Sequence, residues 1–145
     1  MRRGWYTVAR DIPVTGGTKV SVEVQSRVRN VVPLEERGSY LAVHGFDGVE
    51  YRYLGFFNWL DHGTRDWELR VGEKTIPGDI RMLRVQLVSA GGTPERPAET
   101  WVDDLRILQD DVLIYKNKFT SLWPLTGVAL PIVTGLGAVR FGKKG

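Results

Sequence analysis

The sequence predicts an antiparallel β-sandwich, and three observations lead there. Apolar residues recur at every second position in run after run between residues 5 and 109. That spacing puts one face of a strand against a core and the other in water. Turn-forming stretches separate the runs: TGGT at 15–18, FDG at 46–48, DHGT at 61–64, PGD at 77–79 and GGTPERP at 91–97. Gly, Pro, Asp and Asn supply the backbone angles and local side-chain bonds that tight turns need. No stretch of this region repeats with the period of an amphipathic helix. Short strands with turns between them pack as two sheets, and 145 residues suffice for one domain with its own core.

The strands follow in order. In TKVSVEVQSRV, Val20, Val22 and Val24 alternate with Ser21, Glu23 and Gln25. In SYLAVHGF, Leu41 and Val43 alternate with Tyr40, Ala42 and His44. In DWELRV, Trp67, Leu69 and Val71 alternate with Glu68 and Arg70, and in RMLRVQLV, Leu83, Val85 and Leu87 alternate with Arg84 and Gln86. The closing strand, AETWVDDLRIL at 98–108, puts Trp101, Leu105 and Ile107 on one face and Val102, Asp104, Arg106 and Leu108 on the other. Trp67 and Trp101 are thereby assigned to the core, and strict alternation carries Asp103 in beside Trp101. An unpaired carboxylate there would be very costly.

Beyond the strands, 119–139 (FTSLWPLTGVALPIVTGLGAV) holds no charged residue over 21 positions. A helix of that length rises about 30 Å, the thickness of a bilayer's hydrocarbon core. Lys116 and Lys118 precede the run, Arg140, Lys143 and Lys144 follow it, and Trp123 lies near one end. The expectation is a single C-terminal transmembrane helix. It divides the chain into a sandwich domain at 1–112, a connector at 113–118, the span at 119–139 and a basic tail at 140–145. More cations follow the span than precede it, which puts the tail in the cytoplasm and the sandwich outside. MRRGWYTVA is not a signal peptide, because no apolar stretch follows its arginines. An extracytoplasmic sandwich then expects an upstream start or a longer membrane protein.

Charge and motifs exclude several functions. Residues 1–115 carry fifteen Lys and Arg against seventeen Asp and Glu, so the net charge of +3 belongs to the tail. No cationic cluster marks the strands as a nucleic-acid surface. There is no cysteine, hence no disulfide framework and no thiolate zinc site. The two histidines, His44 and His62, have no metal spacing. No GxSxG, P-loop or HExxH motif is present. Asp103 and Asp104 are adjacent in a strand and point to opposite faces, so they cannot flank a glycosidic bond as a catalytic pair. The chain is expected not to be an enzyme.

Three stretches resemble the jelly-roll carbohydrate-binding modules of the galactose-binding-like superfamily. IPVTGGTKVSVEVQSRV at 12–28 resembles their opening turn and second strand. TRDWELRVGEKTIPGDIRMLRVQLV at 64–88 resembles the segment in which Thr and Trp lead a strand, an Ile-Pro turn follows, and a core strand comes next. ETWVDDLRI at 99–107 resembles the closing strand with its Trp-x-Asp-Asp. The resemblance covers most of 5–109 and implies an antiparallel jelly-roll. For Asp103 three arrangements compete. It pairs with an arginine or with backbone N–H groups; or it helps hold a structural Ca2+, as closing-strand aspartates do in many such modules; or a bulge turns it to solvent.

Such modules imply a glycan ligand. A sugar site needs aromatic planes for the apolar ring faces and polar groups for the hydroxyls. Residues 40–62 hold both, and the candidate ligand-binding residues are Tyr40, His44, Tyr51, Tyr53 and Trp59. Tyr40 and His44 lie opposite Leu41 and Val43 and should leave the core. The resulting expectation is a non-catalytic, membrane-tethered module that binds a glycan or polysaccharide. The alternatives are a structural or protein-interaction domain with partners in a membrane complex, and an accessory C-terminal domain of a larger membrane-bound glycan enzyme.

Overall fold

The computed structural model describes residues 4–31, 39–61, 63–89, 98–118 and 138–141. The strands are β1 (Gly4–Pro13), β2 (Lys19–Val31), β3 (Ser39–Phe46), β4 (Tyr51–Asp61), β5 (Gly63–Thr75), β6 (Met82–Ser89), β7 (Glu99–Gln109), β8 (Val112–Asn117) and β9 (Ala138–Phe141). No helix occurs among the described residues. A four-stranded sheet runs β1-β6-β3-β4, and a five-stranded sheet runs β5-β2-β7-β8, with β9 added beside β7. Every pairing is antiparallel except that of β9 with β7.

The two sheets close over one core. Val20, Val22 and Val24 of β2 and Val102, Leu105 and Ile107 of β7 meet Leu41 and Val43 of β3 and Leu83, Val85 and Leu87 of β6. Each such side chain contributes about 1.5–3 kcal/mol by leaving water. The Ser39 and Thr100 hydroxyls, both buried, hydrogen-bond at 2.6 Å and join the sheets through β3 and β7. At one end two turns interlock. A Cβ on Gly16 would lie 2.4 Å from the Gly78 carbonyl oxygen, so only glycine fits there.

Two assignments from alternation are corrected. Leu69 and Val71 are 54% and 58% exposed, and Trp67 is half-buried. Val22 pairs with Gly72 and Val24 with Arg70, so the inward side of β5 holds Gly72 and Arg70 while Leu69 and Val71 face outward. β5 is an edge strand, and Arg70, held by Glu68 at 2.9 Å, covers the rim with its aliphatic stem. Trp101 is the second correction. It lies outside the core, half-buried, opposite Arg27, whose guanidinium sits 5.1 Å from its ring centre.

A bulge explains Trp101. β2 advances two residues from Glu23 to Gln25 while β7 advances three from Asp103 to Arg106. The added residue reverses the inward parity of β7. Thr100 and Val102 point inward before it, Leu105 and Ile107 after it. Asp104 has φ +51°, in the left-handed region that Asp tolerates better than most residues. The Asp103 carboxylate accepts the Asp104 N–H at 2.8 Å and stays buried at 6% exposure. The bulge and the backbone hydrogen bond thus occur together.

The C-terminal third also departs from the expected division. The stretch expected as a connector at 113–118 falls mostly in β8, which forms a hairpin with β7. Its turn residues Asp110 and Asp111 both have positive φ, the requirement of a type I′ turn. Most of the expected span, 119–137, lies outside the described residues, whereas Ala138 and Val139 belong to β9. No helix among the described residues is long and apolar enough to cross a membrane. Asn117 pairs with Leu105 and Ala138 with Glu99, so both flanks of the uncharged run lie against β7.

Candidate functional site

The outer face of the four-stranded sheet is built from cross-strand ring pairs. β3 is central, so its residues meet β4 on one side and β6 on the other. With Leu41 and Val43 in the core, the alternate residues Tyr40, Ala42, His44 and Phe46 line the outer face. Register breaks in the β3–β4 pairing place Leu54 and Phe57 against the core and leave Tyr51, Tyr53 and Phe56 facing outward. Tyr40 meets Phe56 edge-on at 5.7 Å, His44 meets Tyr53 at 5.3 Å, and Phe46 meets Tyr51 at 5.2 Å. Aromatic cross-strand neighbours of this kind add up to about 1 kcal/mol per pair.

Exposure varies along this ladder. Tyr40 is 1% exposed and packs with Ala42, Val88 and Phe56, so it supports the face and cannot itself touch a ligand. His44 and Tyr51 are half-buried, while Tyr53 is 52% exposed. The structure therefore brings the sequence-predicted Tyr40, His44, Tyr51 and Tyr53 onto one face. The Trp59 backbone pairs with Tyr40, and the Trp59 side chain lies outside the described residues.

The polar groups of this face were missed by sequence reasoning because they come from other strands. Arg84 of β6 pairs with His44 across the sheet, and its guanidinium lies 4.6 Å from the centre of the Tyr51 ring. The Tyr51 hydroxyl donates to Asp11 Oδ1 at 2.5 Å. Asp11 sits at φ +53° beside a register break in β1. Burial and the Asp11 carboxylate push the Tyr51 phenol above its usual range, against the opposing pull of Arg84 and Arg10. Burial, then the positive charge of Arg84, hold His44 below its ordinary value. Gln86 and Thr7 lie on the same face, bonded to each other at 3.3 Å. Only the alternation of RMLRVQLV hinted at Arg84.

The opposite outer face, on the five-stranded sheet, holds a shallow concavity of about 220 Å³ lined by Glu23, Gln25, Leu69, Asp104 and Arg106. It exists because the bulge in β7 turns Arg106 outward beside Glu23. Lys118 approaches Asp104 at 3.7 Å. Alternation assigned Leu69 to the core, so nothing in the residue pattern signalled this hollow. Among the described residues no group of three or more His, Asp or Glu side chains could hold a metal ion. At Asp103 the structure shows the contact to the Asp104 N–H.

The chain matches no protein-family model, no curated protein and no solved structure. What the structure itself shows is an all-β fold of two sheets, consistent with a β-sandwich.

Proposed function

We propose that the protein is a non-catalytic recognition module of the jelly-roll carbohydrate-binding type, binding glycans on the outer face of its four-stranded sheet. The observation that carries this reading is the ring ladder, whose middle pair sets the exposed Tyr53 against His44, with Arg84 across from His44 on β6. A pyranose lays its C–H face on Tyr53 while its hydroxyls reach His44, Arg84 and Tyr51. Tyr40 and Phe56 pack beside this site on the same face, which keeps the ordering cost of binding low. Titration calorimetry of the full chain against a glycan panel tests this. Binding lost in Tyr53→Ala, with unfolding still cooperative, supports the site; no binding to any glycan by a folded protein defeats it.

In this proposal the uncharged run 119–139 tethers the module to a membrane, with the sandwich on the extracytoplasmic side. A tether raises effective concentration, so a weak site suffices. A docked β9 competes with a single crossing, because a crossing would put Asn117 and Ala138 on opposite sides of the bilayer. The chain has no cysteine, so Lys118→Cys and Lys144→Cys report cleanly with an impermeant maleimide on sealed vesicles. Labelling from opposite sides supports the crossing; labelling from one side supports docked β9.

A second reading, a protein-interaction domain, is favoured by Leu69 and Val71 on β5 and by Val112 and Leu113 on β8, all exposed at the margins of the five-stranded sheet. Leu69→Lys would then weaken capture of a membrane partner and leave glycan binding unchanged.

A further inference from the structure

We infer that the ligand of the ring ladder is anionic: a glycan that carries carboxylate or sulfate groups. The inference rests on the proposed site and narrows its substrate class. Its ground is Arg84. The side chain is half-buried in the middle of the sheet face, stacked on Tyr51. Its Nε is buried and has no hydrogen-bond partner among the described residues. No carboxylate among the described residues closes an ion pair with it. A guanidinium whose charge no neighbouring carboxylate answers favours an anion that approaches from outside.

Its neighbours explain why no internal acceptor reaches it. Asp11, the carboxylate of this cluster, is taken by the Tyr51 hydroxyl. Asp47 and Asp79 hold Arg52, at 3.9 and 2.8 Å. Arg10 adds a second positive charge beside Tyr51. Arg10 and Arg84 against Asp11 leave an excess positive charge around Tyr51, which shares the outward side of β4 with Tyr53. An arginine fork meets a carboxylate or sulfate with two parallel hydrogen bonds, a geometry that a neutral hydroxyl matches poorly. A uronic-acid ring stacked on Tyr53 would carry its carboxylate toward Arg84.

The test is calorimetric titration of the full chain with oligogalacturonate and with the neutral oligogalactoside of equal length. The expected result is binding of the acidic oligomer about tenfold tighter than the neutral one, a preference that salt erodes. Arg84→Gln should abolish the preference and leave residual neutral binding. Arg84→Lys should keep part of it, and Arg106→Gln on the opposite sheet should change nothing. Thermal melts establish that each variant is folded. If Arg84→Gln does not fold, Arg84→Lys together with the salt series decides the question. Equal affinity for both oligomers, or a preference that survives in full in the Arg84 variants, overturns the inference and leaves the glycan reading standing. Binding of neither oligomer, with only uncharged glycans of the panel bound, also overturns it; no glycan bound at all defeats both.

Discussion

The two outer faces of the sandwich start from similar strand patterns and end in different chemistry. On the four-stranded sheet, β3 and β6 are both central, and their outward residues pack against residues of the flanking strands: Tyr40 against Phe56, His44 against Tyr53, Arg84 over Tyr51. On the five-stranded sheet, the outward aliphatics Leu69 and Val71 sit on the edge strand β5 and stay exposed. One face is a packed layer from which Tyr53 stands exposed on the edge strand β4, and the other is a charged surface around a shallow hollow. An outward residue is worth what its neighbours across the sheet make of it. A tyrosine on a central strand can be as buried as any core leucine, while a leucine on an edge strand remains in water.

The largest test of that contrast is Tyr40→Ala beside Leu69→Ala. Removing the Tyr40 ring should cost about 3 kcal/mol, the range for large aromatic truncations at buried sites. Leu69→Ala should stay within about 0.5 kcal/mol of the parent protein. Urea unfolding measures both, and equal losses would end the distinction between the faces. Next in size is Asp103→Ala, which leaves the Asp104 N–H without its 2.8 Å acceptor and should cost about 1–2 kcal/mol. No loss there would mean that backbone pairing alone fixes the bulge. Smaller still, Asp104→Gly relieves the φ of +51° and should stabilise by up to about 1 kcal/mol. Destabilisation would show that its carboxylate contributes more than its backbone costs.

The smallest effect is the pH response of the ladder. Burial and Arg84 hold His44 below its ordinary 6.5, so the unfolded chain takes up the proton more readily than the folded one. The stability tied to neutral His44 is complete above that value and declines as pH falls through the depressed one. Melting temperature should therefore fall as the pH drops below about 6.5, and fall less in His44→Gln. Asp47, held low by the Glu50 and Val49 N–H groups, acts in a separate window below its ordinary 3.8. A slope unchanged by His44→Gln would place the titrating group elsewhere.

Much of this architecture was legible from the residues alone. The alternation in β2, β3 and β6 reported the buried Val20, Val22, Leu41, Val43, Leu83, Val85 and Leu87 correctly, because along these stretches the apolar residues keep to one face with no bulge to exchange it. The clustering of Tyr40, His44, Tyr51 and Tyr53 was legible too, since β3 and β4 are joined by a short turn and pair directly. Arg84 as their partner was not, because β6 follows β3 by nearly forty residues of chain, and no local pattern encodes which distant strand lies alongside.

By itself, then, the sequence determined an all-β sandwich, the positions of β2, β3, β5, β6 and β7 and several of the turns between strands, since these depend on period-two burial and local turn chemistry. The tertiary structure decided which side of β5 and of the first half of β7 faces the core, that 112–117 is a strand, and that an open arginine stands beside the rings. Period two divides a strand into two faces without saying which is inner. That choice is made by long-range pairing and by one added residue at Asp103–Asp104, which exchanges the two faces along the rest of the strand.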